Sequence, residues 1–205
     1  MRKGETLMRI LFAAPDRDLL ECYKKLLEID FGETVTAFDG TQVISLLATE
    51  DFDIVILDRN IPRIDYEELI ERIQDKKIPV IALNDCPVSA HDLTEPPLPN
   101  SWLSYPFTPE KICYEIKDTL NCVSSDEQFS VGDVEINVPG YRITGGPSLT
   151  AGEIKVLRAL LNGESITAND GVYINALNTK FGKIGTETRI KYKAKKGFEL
   201  VIQNE

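Results

Sequence analysis

The chain is poor in the residues that most hydrolytic and metal chemistry needs. It has one histidine, His91, and four cysteines, Cys22, Cys86, Cys113 and Cys122, with no CxxC pair among them. A structural zinc site is therefore not expected, and the cysteines read as reduced thiols. A glycine-rich phosphate-binding loop is missing, as is any nucleophile–histidine constellation, so the chain does not read as an enzyme. The sequence holds no apolar run of about 18 residues, so no membrane association is expected. The polar stretch from Met1 to Met8 lacks the apolar core of a signal peptide, Met8 itself directly precedes the first strand, and a cytoplasmic location is expected. Basic charge is scarce as well. The 205 residues carry a formal charge of −10, and all of that excess lies in residues 1–122, with 23 acids against 13 bases. An acidic front half is a poor partner for nucleic acid. Residues 123–205 balance at 10 and 10, but Lys180, Lys183, Arg189, Lys191, Lys193, Lys195 and Lys196 share their stretch with only one acid, Glu187. Any contact with nucleic acid belongs there.

The front half alternates strand and helix patterns. Short apolar runs at 9–14, 34–37, 53–57, 78–83 and 102–104 read as buried parallel strands. Between them lie helical patterns: Leu19, Leu20, Tyr23, Leu26 and Leu27 after Pro15-Asp16; Val43, Ile44, Leu46 and Leu47 after Asp39-Gly40; Leu69, Ile70 and Ile73; and Ile112, Cys113, Ile116 and Leu120 after Thr108-Pro109-Glu110. Five strands with intervening helices predict an α/β fold, a doubly wound five-stranded parallel sheet, with its site at the carboxyl ends of the strands. Those ends present Ala14, Pro15, Asp16, Asp58, Asn84 and Tyr105. One crossover is unusual: four prolines between Pro87 and Pro99 oppose a regular helix, leaving one short turn near Ser89–Leu93.

The back half reads differently. Residues 121–128 are polar and without period, which suggests a linker (123–128) between a first domain at 8–122 and a second at 129–205. Short alternating segments at 129–131, 134–138 and 141–144 predict a small antiparallel sheet. Thr150-Ala-Gly-Glu153 is a capping box opening a helix with Ile154, Val156, Leu157, Leu160 and Leu161 apolar. Asn169-Asp170 starts a second helix with Val172, Ile174, Leu177 and Phe181 inward. That pattern leaves Tyr173, Asn175, Ala176, Asn178, Thr179 and Lys180 outward. A lysine-rich hairpin, 189–193 with 197–202, closes the chain.

Three segments together resemble a known family. Val55-Ile-Leu-Asp58-Arg-Asn-Ile-Pro62 is similar to the phospho-acceptor loop of bacterial response-regulator receivers. Ser104-Tyr105-Pro106-Phe107-Thr108-Pro109-Glu110 resembles their fifth-strand motif. Val172–Phe181 followed by Lys195-Lys-Gly-Phe-Glu-Leu200 resembles the recognition helix and wing of OmpR/PhoB-type effector domains. The resemblance implies a CheY-like receiver followed by a small α+β winged-helix domain, and a DNA-binding transcriptional regulator.

The same resemblance marks departures. Family chemistry transfers a phosphoryl group to an aspartate, aided by a magnesium ion and cationic donors. By alignment Asp58 is the acceptor position. Ala14 and Pro15 stand where two acids help hold the metal, with Asp16 one residue beyond. Asn84 stands at the position of a hydroxyl, Tyr105 at that of a lysine, and Tyr66 at that of a glycine. Losing one charge stabiliser costs about 3–4 kcal/mol at the transition state. The pocket therefore reads as degenerate, with Asp58 kept as a hydrogen-bond acceptor and no cofactor expected. The alternative is a weak cation held by Asp16 and Asp58.

The expected function is phosphorylation-independent regulation of transcription. Partners would be duplex DNA and a second copy of the chain, joined through the receiver, with the last receiver helix (Ile112, Tyr114, Ile116) as a contact. Candidate DNA-facing residues are Tyr173, Asn175, Asn178, Thr179, Lys180, Lys183, Lys191, Lys193, Lys195 and Lys196. Asparagine can read adenine, and lysines can neutralise phosphates. Only Asn162–Asn169 separates the two helices of this domain, which leaves no room for the family's supporting helix. That shortage, and the arginine-poor recognition helix, keep open a rival reading: an interaction module docking to a partner regulator or kinase.

Overall fold

The computed structural model describes residues 8–89, 91–95, 97–124, 126–167, 170–193 and 197–202, with the side chains of Lys193 and Ile202 excepted. Two compact units emerge. The first comprises residues up to Pro87 with Ser101–Leu120, and the second comprises Val88–Asn100 with the chain from Asn121 onward.

In the first unit, β1 (Met8–Ala13), β2 (Gly32–Ala37), β3 (Ile54–Asp58), β4 (Val80–Asn84) and β5 (Ser101–Ser104) form one parallel sheet in the order β2-β1-β3-β4-β5. Helices α1 (Arg17–Asp30), α2 (Gly40–Thr49), α3 (Tyr66–Asp75) and α4 (Pro109–Ser124) cover it. The period of two along each strand sorts the core into two layers. Ile10, Phe12, Ile54, Ile56, Ile81 and Leu83 pack with α1 and α4, through Leu20, Leu27, Ile112 and Ile116. Leu11, Ala13, Val55, Leu57, Val80 and Ala82 face the other way, onto α2 and α3, through Val43, Leu47, Leu69 and Ile73. Ile112 and Ile116 are fully buried here, so of the three residues expected at a dimer contact only Tyr114 is exposed.

Local chemistry fixes the helix starts. The Asp16 carboxylate accepts the amides of Asp18 and Leu19, and the Asp39 carboxylate accepts that of Gln42. Strand order reverses at β1, so the carboxyl ends of β1 and β3 flank the switch point where sites of such sheets lie. As the prolines require, no helix joins β4 to β5 among the described residues. A single turn is closed by the amides of Thr94 and Glu95 on the His91 carbonyl.

The second unit holds an antiparallel sheet of β6 (Gln128–Val131), β7 (Val134–Asn137) and β8 (Arg142–Ile143), helices α5 (Ala151–Asn162) and α6 (Gly171–Lys183), and the hairpin β9 (Thr188–Lys193) with β10 (Gly197–Ile202). The capping box at Thr150 and Glu153 forms in both directions, and Gly163 ends α5 in the left-handed region at φ 69°. Among the described residues no helix lies between α5 and α6. The core joins Val131, Val134, Ile136, Ile143, Ile154, Leu157, Ile174, Leu177, Phe181 and Ile190.

One boundary needs correction. Polarity at 121–124 suggested linker, yet α4 runs to Ser124, because Cys122 and Val123 join the second unit's core. Gln128 opens β6, so the described residues between the two elements are Asp126 and Glu127. Among the described residues no helix is long and apolar enough to cross a membrane.

Candidate functional site

The carboxyl ends of β3, β4 and β5 converge on Asp58, which is 5% exposed. Register places Asp58 beside Leu83, and Asn84 beside Ser104. Both Asp58 oxygens are occupied. Oδ1 accepts the Asn60 amide at 2.7 Å, and Oδ2 accepts the Tyr105 hydroxyl at 2.7 Å. Burial raises the Asp58 pKa; the Asn60 amide and the Tyr105 hydroxyl oppose that shift, and Asp85 adds to it. None of these groups is a cation. Burial, with the Asp58 carboxylate next in weight, also drives the Tyr105 pKa far above that of a free phenol. Tyr105 therefore stays a neutral donor throughout the ordinary pH range.

The phenol is held from several sides. Its ring stacks on Phe107 at 5.0 Å between centroids, and Phe107 meets Tyr23 at 5.2 Å. The Tyr23 hydroxyl donates to the Phe107 carbonyl at 2.9 Å, and the Tyr105 amide donates to the Asn84 carbonyl at 2.8 Å. The Tyr105–Pro106 peptide is cis. Asn60 reaches across to Asp85, its amide Nδ2 donating at 2.6 Å. Asn84 is buried; its Oδ1 accepts the Cys86 thiol at 3.7 Å, while its Nδ2 has no hydrogen-bond partner among the described residues.

The fit to a divalent cation is poor. Ala14 is fully buried and donates its amide to the Ala37 carbonyl, and neither it nor Pro15 brings a side-chain ligand. Asp16 directs its carboxylate to the α1 amides. One Asp58 oxygen is taken by a phenol. No three His, Cys, Asp or Glu side chains among the described residues are placed to hold a metal ion. What this arrangement can do is keep a buried carboxylate satisfied by neutral donors.

The structure divides the residues expected to face DNA. Lys180 is corrected: it is 1% exposed, and its Nζ lies 2.7 Å from both oxygens of Glu153, itself fully buried. It belongs to the stripe of Ile174, Leu177 and Phe181 rather than to the outward face. Asn178 is committed to the fold. Its Nδ2 donates to the Ile190 carbonyl and its Oδ1 accepts the Ile190 amide, both at 2.9 Å, so it clamps α6 to β9 as a neighbouring strand would. Tyr173 is half-buried against the core, over Gly152, where an added Cβ would stand 2.6 Å from the ring. Asn175, Thr179 and Lys183 are exposed on α6, and Lys191 on β9. The Lys193 side chain and the residues Lys195 and Lys196 lie outside the described residues. Tyr192, 67% exposed and edge-on to Phe198, was not foreseen; β alternation places it on the same strand face as buried Ile190.

The first unit is a parallel sheet of order β2-β1-β3-β4-β5 with Asp58 at the carboxyl end of β3. Residues 10–91 match the model of the response regulator receiver domain. The signal receiver domain of an HD domain-containing protein from Pseudomonas fluorescens Pf-5 superposes with a TM-score of 0.51 at 25% identity, over 57% of this chain and 96% of that one. The transcriptional regulatory protein PrrA of Mycobacterium tuberculosis is 26% identical over 155 residues, 69% of this chain and 64% of its own. The DNA-binding response regulator MtrA of the same organism is 26% identical over 163 residues, 74% of this chain and 70% of its own. The chain thus carries a receiver domain and is homologous, at low identity, to DNA-binding response regulators. It spans just under two thirds of PrrA.

Proposed function

We propose that this chain is a response regulator whose receiver works without phosphorylation and whose second unit acts on transcription by binding duplex DNA as a homodimer. The observation that carries the first part is the Tyr105–Asp58 hydrogen bond. Phosphoryl transfer needs an anionic carboxylate, a metal ion, and a cation for the developing charge. Here the carboxylate meets only neutral donors, the metal-position side chains are Ala14 and Pro15, and a phenol stands in for the lysine. A phosphoaspartate would bring about two negative charges into a buried site already bordered by Asp85.

DNA binding draws support from the named relatives and from exposed Asn175, Thr179, Lys183 and Lys191. The second reading, an interaction module docking to a partner regulator or kinase, draws support from Lys180 and Asn178, both spent on the fold.

The deciding experiment for the receiver is incubation with acetyl phosphate and magnesium, read by intact mass. The expected outcome is no phosphoryl adduct. Rapid stoichiometric labelling at Asp58 would end the proposal and restore a conventional switch.

A further inference from the structure

The stretch between β4 and β5 contains no helix among its described residues, yet it buries Leu93, Leu98 and Pro99. Its turn is self-capped: the Asp92 carboxylate accepts the Ser89 amide at 2.9 Å and the Ser89 hydroxyl at 2.7 Å. Residues 88–100 group with the second unit rather than with the sheet whose strands they connect. Two contacts inside that unit fix them. The Ala151 amide, one of the first-turn donors of α5 that has no partner within its helix, donates to the Asn100 carbonyl at 2.7 Å. At the far end of α6, Lys183 Nζ donates to the Thr94 carbonyl at 3.4 Å and lies 3.8 Å from the Glu95 carboxylate.

We infer that residues 88–100 are a strap belonging to the second unit, linking the first turn of α5 to the last turn of α6 and clasping Lys183, the exposed basic residue at the end of α6. The proline content suits this role. Prolines bring preset φ values, so ordering a proline-rich stretch costs less entropy than ordering a flexible loop. The clasp also sets Glu95 against a phosphate for the Lys183 ammonium, so the strap opposes any anion at that end of α6. The strap itself does not depend on the DNA-binding reading.

The test is hydrogen exchange on the full chain carrying Leu93→Ala. The expected result is faster exchange, on the order of tenfold or more, at the α5 first turn and along α6, while β1–β4 keep their protection. Acceleration confined to β4, β5 and α3 would assign the strap to the receiver layer and overturn the inference, and so would uniform acceleration across the molecule. A second variant, Glu95→Lys, leaves the packing intact and sets like charges together. In it, acylation of Lys183 by an amine-reactive reagent, followed by peptide mass mapping, should rise severalfold relative to the other lysines. An unchanged rate would remove the clasp.

Discussion

Lys180 and Glu153 illustrate how a single pair of residues can decide what a helix does. Both side chains are out of water, and burial is the leading influence on each: it pushes Glu153 up and Lys180 down, and the partner's opposite charge opposes both shifts. Glu153 also accepts the Thr150 amide and hydroxyl, so the pair closes the capping box of α5 while tying it to α6. Removing one partner strands the other charge. Lys180→Ala is expected to cost about 3–5 kcal/mol, whereas Lys180→Met with Glu153→Gln, which keeps an acceptor for Thr150, should recover part of that loss. Urea titration followed by circular dichroism separates the two outcomes; equal losses in the single and double variants would contradict this reading of the pair.

At the scale of elements, the hairpin β9–β10 is docked through its first strand. Asn178 clamps Ile190 from the helix side. From the sheet side, Asp133, in the turn between β6 and β7, accepts the hydroxyls of Thr186 and Thr188 and the Glu187 amide. Those hydroxyl hydrogen bonds are the main reason the Asp133 pKa falls to about 2, below the 3.8 of an unperturbed aspartate. The sign follows from linkage. A depressed folded-state pKa contributes stability that is fully present above the unfolded pKa near 3.8 and is lost as pH falls through about 2. The wild type should therefore lose thermal stability between about pH 4 and pH 2 more steeply than Asp133→Asn, whose side chain has no proton to gain. Melting curves across that window check it, and parallel pH slopes would rule the contribution out.

For the whole molecule, charge is divided along the chain. The acidic excess lies in residues 1–122, and the basic cluster lies between Lys180 and Lys196. With Lys180 buried and Lys183 facing Glu95, the proposed DNA binding rests on Lys191, Lys193, Lys195 and Lys196. A duplex-binding protein of this kind should show log affinity falling linearly with log salt, at about −0.9 per phosphate neutralised. Changing Lys193, Lys195 and Lys196 to alanine should reduce that slope by roughly 2–3 and cost affinity at every sequence. Fluorescence anisotropy with promoter-length duplexes from 50 to 200 mM salt measures both quantities. Undetectable binding at low salt would leave the docking-module reading standing.

The parallel sheet and its helices were legible in the sequence because burial on both faces leaves short apolar runs, and because Asp16, Asp39 and Thr150 announce helix starts locally. The sequence also placed Asp58, Asn84 and Tyr105 at strand ends, and the fold joins Asp58 to Tyr105. What the sequence could not say is where long-range hydrogen bonds close. Tyr105 and Asp58 are 47 residues apart, and Lys180 and Glu153 are 27 apart. The pattern that marks a lysine as outward assumes that charge prefers water, and a buried partner reverses that preference. The grouping of residues 88–100 with the second unit had no sequence signature beyond the prolines, because only tertiary contacts decide which unit a non-helical segment joins.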